Sequence, residues 1–216
     1  LISQCGTIRG TSNIFPFDKE KSVNIIKWKF NELYSSSSRA YRTVAWGKLY
    51  HNSLLSAYRF PEGKINEDED TVFKVSYEAK EIAITNEKLY YYYMSPTSIL
   101  RNTKKKVNFD FVDIFEERIK YLEIKNEHDL INITKKELCL RLMLNFIECE
   151  KKKGSLDDKR MLLNLFAGYW AQVSFSNIAR RETLALFLFR VFPYGFSFLE
   201  RKLNIIRRNK IKREKA

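Results

Sequence analysis

At 216 residues, with 44% hydrophobic and 14% aromatic residues, the chain can bury one or two real cores, which excludes low-complexity disorder for most of its length. A net charge of +13 implies affinity for something anionic: nucleic acid, a lipid surface or a phosphate-bearing substrate. The isolated Cys5, Cys139 and Cys149 argue against a disulfide framework and fit a reducing cytosol, and the isolated His51 and His128 leave no readable zinc site. No signal peptide is expected from this sequence, and with no run of about 18 uncharged apolar residues no clear membrane span is expected either. The first residue is Leu1 rather than Met, which leads us to expect a fragment or a processed chain.

In chain order, residues 1–16 read as irregular, with Gly6, Gly10 and Pro16 as breakers. Asp18 to Tyr34 reads as an amphipathic helix, with Val23, Ile26, Phe30 and Leu33 on one face and Lys19, Lys27 and Asn31 away from it. Ser35 to Ser38 make a polar loop. Thr43 to Trp46 is short, apolar and partly β-branched, which suits a strand, with a turn at Gly47-Lys48 and a short helix over Asn52 to Tyr58. Pro61 and Gly63 punctuate the next turn. Asn66 can cap a helix and Glu69 can close a capping box, after which Val72, Val75 and Ala79 form an apolar stripe. Glu81 to Thr85 alternates about Ile82 and Ile84. A turn at Asn86-Glu87 lets Leu89 to Tyr93 pair back on it as a hairpin.

Beyond the charged linker Lys104 to Lys106 the pattern turns helical. Val112, Phe115, Ile119 and Leu122 recur at helical spacing, and Leu138 to Cys149 forms a second helix ended by Lys151-Lys152-Lys153-Gly154. Met161 to Phe175 and Thr183 to Phe192 follow, the last stopped by Pro193 and Gly195. The final sixteen residues, Arg201 to Ala216, hold eight Lys or Arg and one Glu. The chain thus divides into an α/β part, 1–103, and a helical part with a basic tail, 104–216.

Three stretches carry chemistry. Glu67 and Asp68 stand at the start of a helix beside a loop. Acids there complement the helix dipole, and a carboxylate held on a rigid element at a cleft edge also suits a general base. Asp68-Glu69-Asp70 spells D-x-D, but residues two apart on a helix do not face each other, so a metal site is not expected there. Trp46 and Lys48 read either as a core aromatic and a solvated cation or as part of a ligand site. Tyr90 to Tyr93 alternate across a strand, so two at most can share a face, and packing suits them better than sugar stacking. The tail reads as a solvated charge run, as a membrane-surface segment because Phe187, Phe189, Phe192, Phe196 and Phe198 precede it, or as a nucleic-acid contact, which no recognised motif accompanies.

The segments VAWGKLY (Val44 to Tyr50), RFPEGKINEDED (Arg59 to Asp70) and YEAKEIAITNEKLYYY (Tyr77 to Tyr92) together resemble the second half of a bacterial family 2 glycosyltransferase. Members of that family are similar to one another in a W-x-K-L-Y block, a FPEGKIHED block and an EPLYYY block, in this order. The resemblance covers about residues 40 to 100. It implies the C-terminal portion of a GT-A domain, followed here by an α-helical region, and inverting sugar transfer from a nucleotide-sugar donor to a saccharide or lipid-linked saccharide acceptor in cell-surface polysaccharide synthesis. It implies Asp68 as catalytic base, Glu67 as a group that orients or polarises the site, and Trp46 and Lys48 as substrate-site residues. It also implies a divalent metal, Mg or Mn, bound with the nucleotide by the family's N-terminal half. No Gly-rich phosphate loop or strand–acid donor motif appears in residues 1–40, so those ligands are expected outside this chain and the isolated chain is expected to be inactive. Relatives carry an Arg near a position such as Met94 or Pro96, whereas Met94 to Ile99 has none. The expected location is cytoplasmic, peripheral at the inner face of the cell membrane, with residues 184–216 as the membrane contact and nucleic acid not a partner. The competing expectation is a non-catalytic basic module that binds a membrane surface or nucleic acid.

Overall fold

The structure, a computed structural model, describes residues 2–5, 7–10, 25–35, 43–85, 87–95, 107–175 and 180–214. They fall into two compact units, 1–102 and 103–216. The first is mixed α/β and the second is helical.

Unit 1 is built on strands β1 (Ile2–Gln4), β2 (Thr7–Gly10), β3 (Ile25–Trp28), β4 (Lys48–Tyr50), β5 (Ile82–Thr85) and β6 (Tyr90–Tyr93), with helices α1 (Phe30–Ser35), α2 (Asn52–Ala57) and α3 (Glu67–Glu78). A four-stranded sheet has the order β3-β5-β1-β4; β1 runs parallel to β5, and β4 and β3 pair antiparallel on the two outer sides. Ile2, Ile82 and Ile84 point from this sheet onto Leu33 of α1 and Val75 of α3, with Ala79 at the α3 terminus completing the apolar layer. Phe30 and Tyr34 of α1 meet Phe73 of α3 edge-on, at ring separations of 5.4 and 5.5 Å.

Several local expectations give way to long-range pairing. The first residues are not irregular: Ile2–Gln4 and Thr7–Gly10 are strands, because each finds a partner much later in the chain. The helix expected over 18–34 is replaced, where it is described, by β3 and the short α1; its first residues, including Lys19 and Val23, lie outside the described residues. Two successive isoleucines are stiff at χ1 and suit a strand, and β5 offers the ladder Ile26↔Ile84 and Trp28↔Ile82. Glu32 then reaches back to accept the Lys29 backbone N–H at 2.6 Å, which starts α1. Ser36 to Ser38 of the expected polar loop lie outside the described residues, and Ser35 closes α1. Thr43 to Trp46 is not a strand. The turn falls at Trp46-Gly47, with Gly47 at φ +68°, and the strand comes after it, at Lys48–Tyr50. The hairpin between 81–85 and 89–93 does not form: β6 pairs in parallel with β2, Thr7↔Tyr90 through Gly10↔Tyr93, as a separate two-stranded sheet. The capping box at Asn66 is also absent. Asn66 takes the left-handed conformation at φ 67°, makes no side-chain cap, and offers only its backbone carbonyl to Glu69 N–H.

Unit 2 comprises α4 (Asp110–Ile124), α5 (His128–Lys151), α6 (Leu156–Trp170), α7 (Arg180–Val191) and α8 (Pro193–Glu214). The linker residues 104–106 lie outside the described residues. The long α5 is the central element, packing against α4, α6, α7 and α8. Phe115 and Leu138, Leu142 and Phe146 of α5, Phe166 of α6 and Phe189 of α7 make one core, with Phe166 and Phe189 edge to face at 4.9 Å. The break after α5 is made by Lys153, not Gly154, in the left-handed region, with Gly154 N–H closing back onto Cys149 O at 2.9 Å. Ser155 then caps α6, so that helix starts before Met161 and ends at Trp170 rather than Phe175. Pro193 does not end the helical region. It stands at the first position of α8, where a missing N–H costs nothing, and the expected stop becomes the start of a helix that runs to Glu214. Among the described residues no helix is long and apolar enough to cross a membrane.

Candidate functional site

Asp68 lies in the first turn of α3. That helix is held at its start by Thr71, whose hydroxyl donates to Arg59 O at 3.1 Å and so ties the preceding loop to it. The Asp68 carboxylate turns towards the loop 43–47 and accepts the Ala45 backbone N–H through Oδ2 at 3.3 Å. The other side of the same residue is held too: the Tyr50 hydroxyl donates to Ala45 O at 3.2 Å. Lys48 Nζ closes a third contact by donating to Val44 O. On the β1 side, Cys5 N–H donates to Gly47 O at 3.1 Å. A loop of ordinary sequence is thereby fixed by groups from β1, β4 and α3.

The electrostatics follow from burial. Desolvation lifts the Asp68 carboxyl above the ordinary carboxylate range. The Ala45 amide opposes that shift, while the neighbouring Glu67 and Glu69 add to it. Lys48 is pulled down to about 8 by desolvation, against the charges of Asp68 and Cys5, which favour its cationic form. Desolvation, with Asp68 adding, pushes the Tyr50 phenol well above the ordinary tyrosine range. An acid with a raised pKa, a lysine with a lowered one and a neutral phenol therefore share one small region, an arrangement that clusters at functional sites and also occurs in structural networks.

Trp46, beside this cluster in sequence, stacks on Tyr90 at 5.2 Å and 14° and meets Tyr92 at 5.1 Å. Tyr90 and Tyr92 share a face of β6 because strand side chains alternate, and that face is occupied by Trp46. Gly47 sits beneath: a Cβ there would lie 3.6 Å from Tyr90 Cβ and 3.9 Å from Cys5 Sγ. Trp46 is thus a packing residue that positions the loop, while Lys48 lies on the Asp68 side. Glu67 is half-buried and acts on Asp68 through its charge.

The D-x-D spacing does not become a pair of ligands. Asp70 accepts from Lys74 Nζ at 2.7 Å, one turn along α3, while Asp68 takes the Ala45 amide. Among the described residues no group of three or more His, Cys, Asp or Glu side chains is placed to hold a metal. Tyr50 and Ala45 fall inside the VAWGKLY block, but nothing in the sequence assigns either of them a role. Their place in that block, with Lys48 and Tyr50 two apart and so on one face of β4, was the available hint. Pro96 to Ile99 lie outside the described residues.

A scan against protein-family models finds no matching family, and a search of curated proteins finds no matching relative.

Proposed function

We propose that this chain carries the acceptor-side part of an inverting GT-A glycosyltransferase, which transfers a sugar from a nucleotide donor to a saccharide or lipid-linked saccharide in cell-surface polysaccharide synthesis. One observation supports the reading most. The three sequence blocks that resemble the family come together in space, with Asp68 on the Ala45 amide, Lys48 and Tyr50 within reach of its charge, and Tyr90 and Tyr92 against Trp46.

In this reading Asp68 takes the proton from an acceptor hydroxyl as that oxygen attacks the anomeric carbon and the bond to the nucleotide phosphate breaks. Desolvation strengthens the carboxylate as a base, and the Ala45 amide fixes its orientation. Glu67 keeps the local field negative, which raises the proton affinity of Asp68 further. Lys48 supplies a nearby cation for a sugar hydroxyl or phosphate, and an arriving anion stabilises that poorly solvated charge. In this reading the divalent metal and the nucleotide are held by the family's N-terminal half; among the described residues no three His, Cys, Asp or Glu side chains are grouped to hold a metal. The enzyme works in the cytoplasm, at the inner face of the cell membrane, where a lipid-linked acceptor is presented.

The test is Asp68→Asn in an active full-length preparation. Asn keeps an acceptor for the Ala45 amide but cannot take the proton. Turnover should fall by about 10² to 10⁴-fold, the usual contribution of a general base, with donor binding nearly unchanged. Wild-type turnover in that variant would sink the assignment.

A further inference from the structure

The helical hairpin of unit 2 is apolar on its outside as well as its inside. On α7, Leu186 and Phe189 are buried in the core, while Leu184, Phe187, Leu188 and Val191 are exposed. Those four fall at i, i+3, i+4 and i+7, one continuous stripe along the helix. Phe192, 67% exposed between the two helices, and Phe198 on α8, 49% exposed, add further exposed rings next to it in sequence. A helix that needed only to brace the core would carry polar side chains on this outer stripe. Its acid, Glu182, is already paired with Lys136 at 2.8 Å.

Cations lie beside the stripe. Arg190 and Lys202 are exposed, and Lys202 Nζ stands 4.7 Å over the Phe198 ring. Residues 184–216 hold nine Lys or Arg against two Glu, and seven of the nine belong to α8. The pattern is an apolar face with positive charge beside it, and among the described residues no helix is long and apolar enough to cross a membrane.

We propose that the outer face of the α7–α8 hairpin docks on an anionic lipid bilayer, with its rings in the interface and the cationic half of α8 over the headgroups. This stands on unit 2 alone, apart from the transferase reading. A second copy of the chain fits the face less well, because it would bring two strongly positive segments together. Nucleic acid fits less well because Leu184, Leu188 and Val191 offer nothing to a phosphate or a base.

The experiment uses the full chain without donor or acceptor. Co-sedimentation is measured with vesicles of neutral phosphatidylcholine alone and with added phosphatidylglycerol, at low and high salt. Binding should require the anionic lipid and weaken in high salt. The variant Lys210→Gln/Lys212→Gln/Arg213→Gln should bind roughly a hundredfold more weakly. The variant Phe187→Ser/Phe192→Ser/Phe198→Ser, altered only at exposed positions, should lose at least about tenfold while keeping its helical circular dichroism. Equal binding to neutral vesicles, unchanged binding by both variants, or concentration-dependent self-association with no vesicle binding would each overturn the proposal, as would binding to RNA alone.

Discussion

Lys48 shows how burial and chemistry conflict at one residue. Its pKa of about 8, against an ordinary 10.5, means that at neutral pH the native state holds a poorly solvated cation. Between those values the unfolded chain binds a proton that the native state lacks, so stability rises with pH in that window. Tyr50 works the other way, since its raised pKa favours the protonated native phenol, but only once unfolded tyrosine ionises near about pH 10. The clean window is therefore about pH 8 to about 10. We expect wild type to gain stability across it relative to Lys48→Met, whose side chain has nothing to titrate. Urea midpoints of the two proteins at several pH values check this, and a constant difference would place Lys48 in water. Asp68 has the opposite sense: its raised pKa makes the buried charge a cost that appears as pH rises through the folded value. Asp68→Asn should then lose turnover without losing thermal stability, which separates a base from a strut. The place of Asp68 in a helix's first turn was legible in the sequence, while its role as a base rested on the resemblance alone. The Tyr50 contact was not, because a hydroxyl meeting a carbonyl across a bend leaves no pattern in the sequence.

At the scale of elements, the start of α3 is the informative case. The Asn66-to-Glu69 spacing suits a capping box, yet the loop from Pro61 through Gly63 brings the chain in at an angle that places Asn66 in the left-handed region. The backbone conformation, not the side-chain cap, explains why Asn stands there. Asn66→Gly should therefore leave stability within a few tenths of a kcal/mol or raise it, while Asn66→Ser, a good cap but a poor left-handed residue, should cost about 1 kcal/mol. Thermal denaturation of the pair decides, and equal stability of Ser and Asn would restore the side-chain cap. The break at Lys153 teaches the same lesson: Gly154 marked the right place, but the neighbouring Lys takes the left-handed turn. The strand at Ile25–Trp28 shows the converse. Its apolar spacing also matches a helix face, and only pairing with β5 decides between the two.

For the whole molecule, each unit has a core of its own, one around Ile2, Val75 and Ile82 and one around Leu142, Phe146 and Phe189. Phe146 is fully buried and touches the rings of both Phe189 and Tyr194, so it joins α5 to α7 and α8. Phe146→Ala should cost about 3–5 kcal/mol, by lost burial and the cavity left behind. Urea titration followed by far-ultraviolet circular dichroism should show the helical signal lost at lower denaturant. A change below about 1 kcal/mol would mean that the α7–α8 hairpin closes over the gap. The same hairpin carries the outer apolar face, so its inner and outer rings have different tasks and different variants test them.

Sequence alone determined that unit 2 is helical and where α4 lies, since Val112, Phe115, Ile119 and Leu122 repeat at a spacing set by the helix itself and need no distant partner, but it did not determine the start of α5, the bounds of α6 or the existence of α8. It also determined that α3 begins at its acids and that Ile82 and Ile84 share one side of a strand. Tertiary structure decided the rest of unit 1. Short strands hold no register of their own, so β1 and β2 exist because β5 and β6 accept them from the far end of the unit. The same closure brings Ala45 to Asp68 and Trp46 to Tyr90, contacts whose free energy appears only once the chain between them has been ordered.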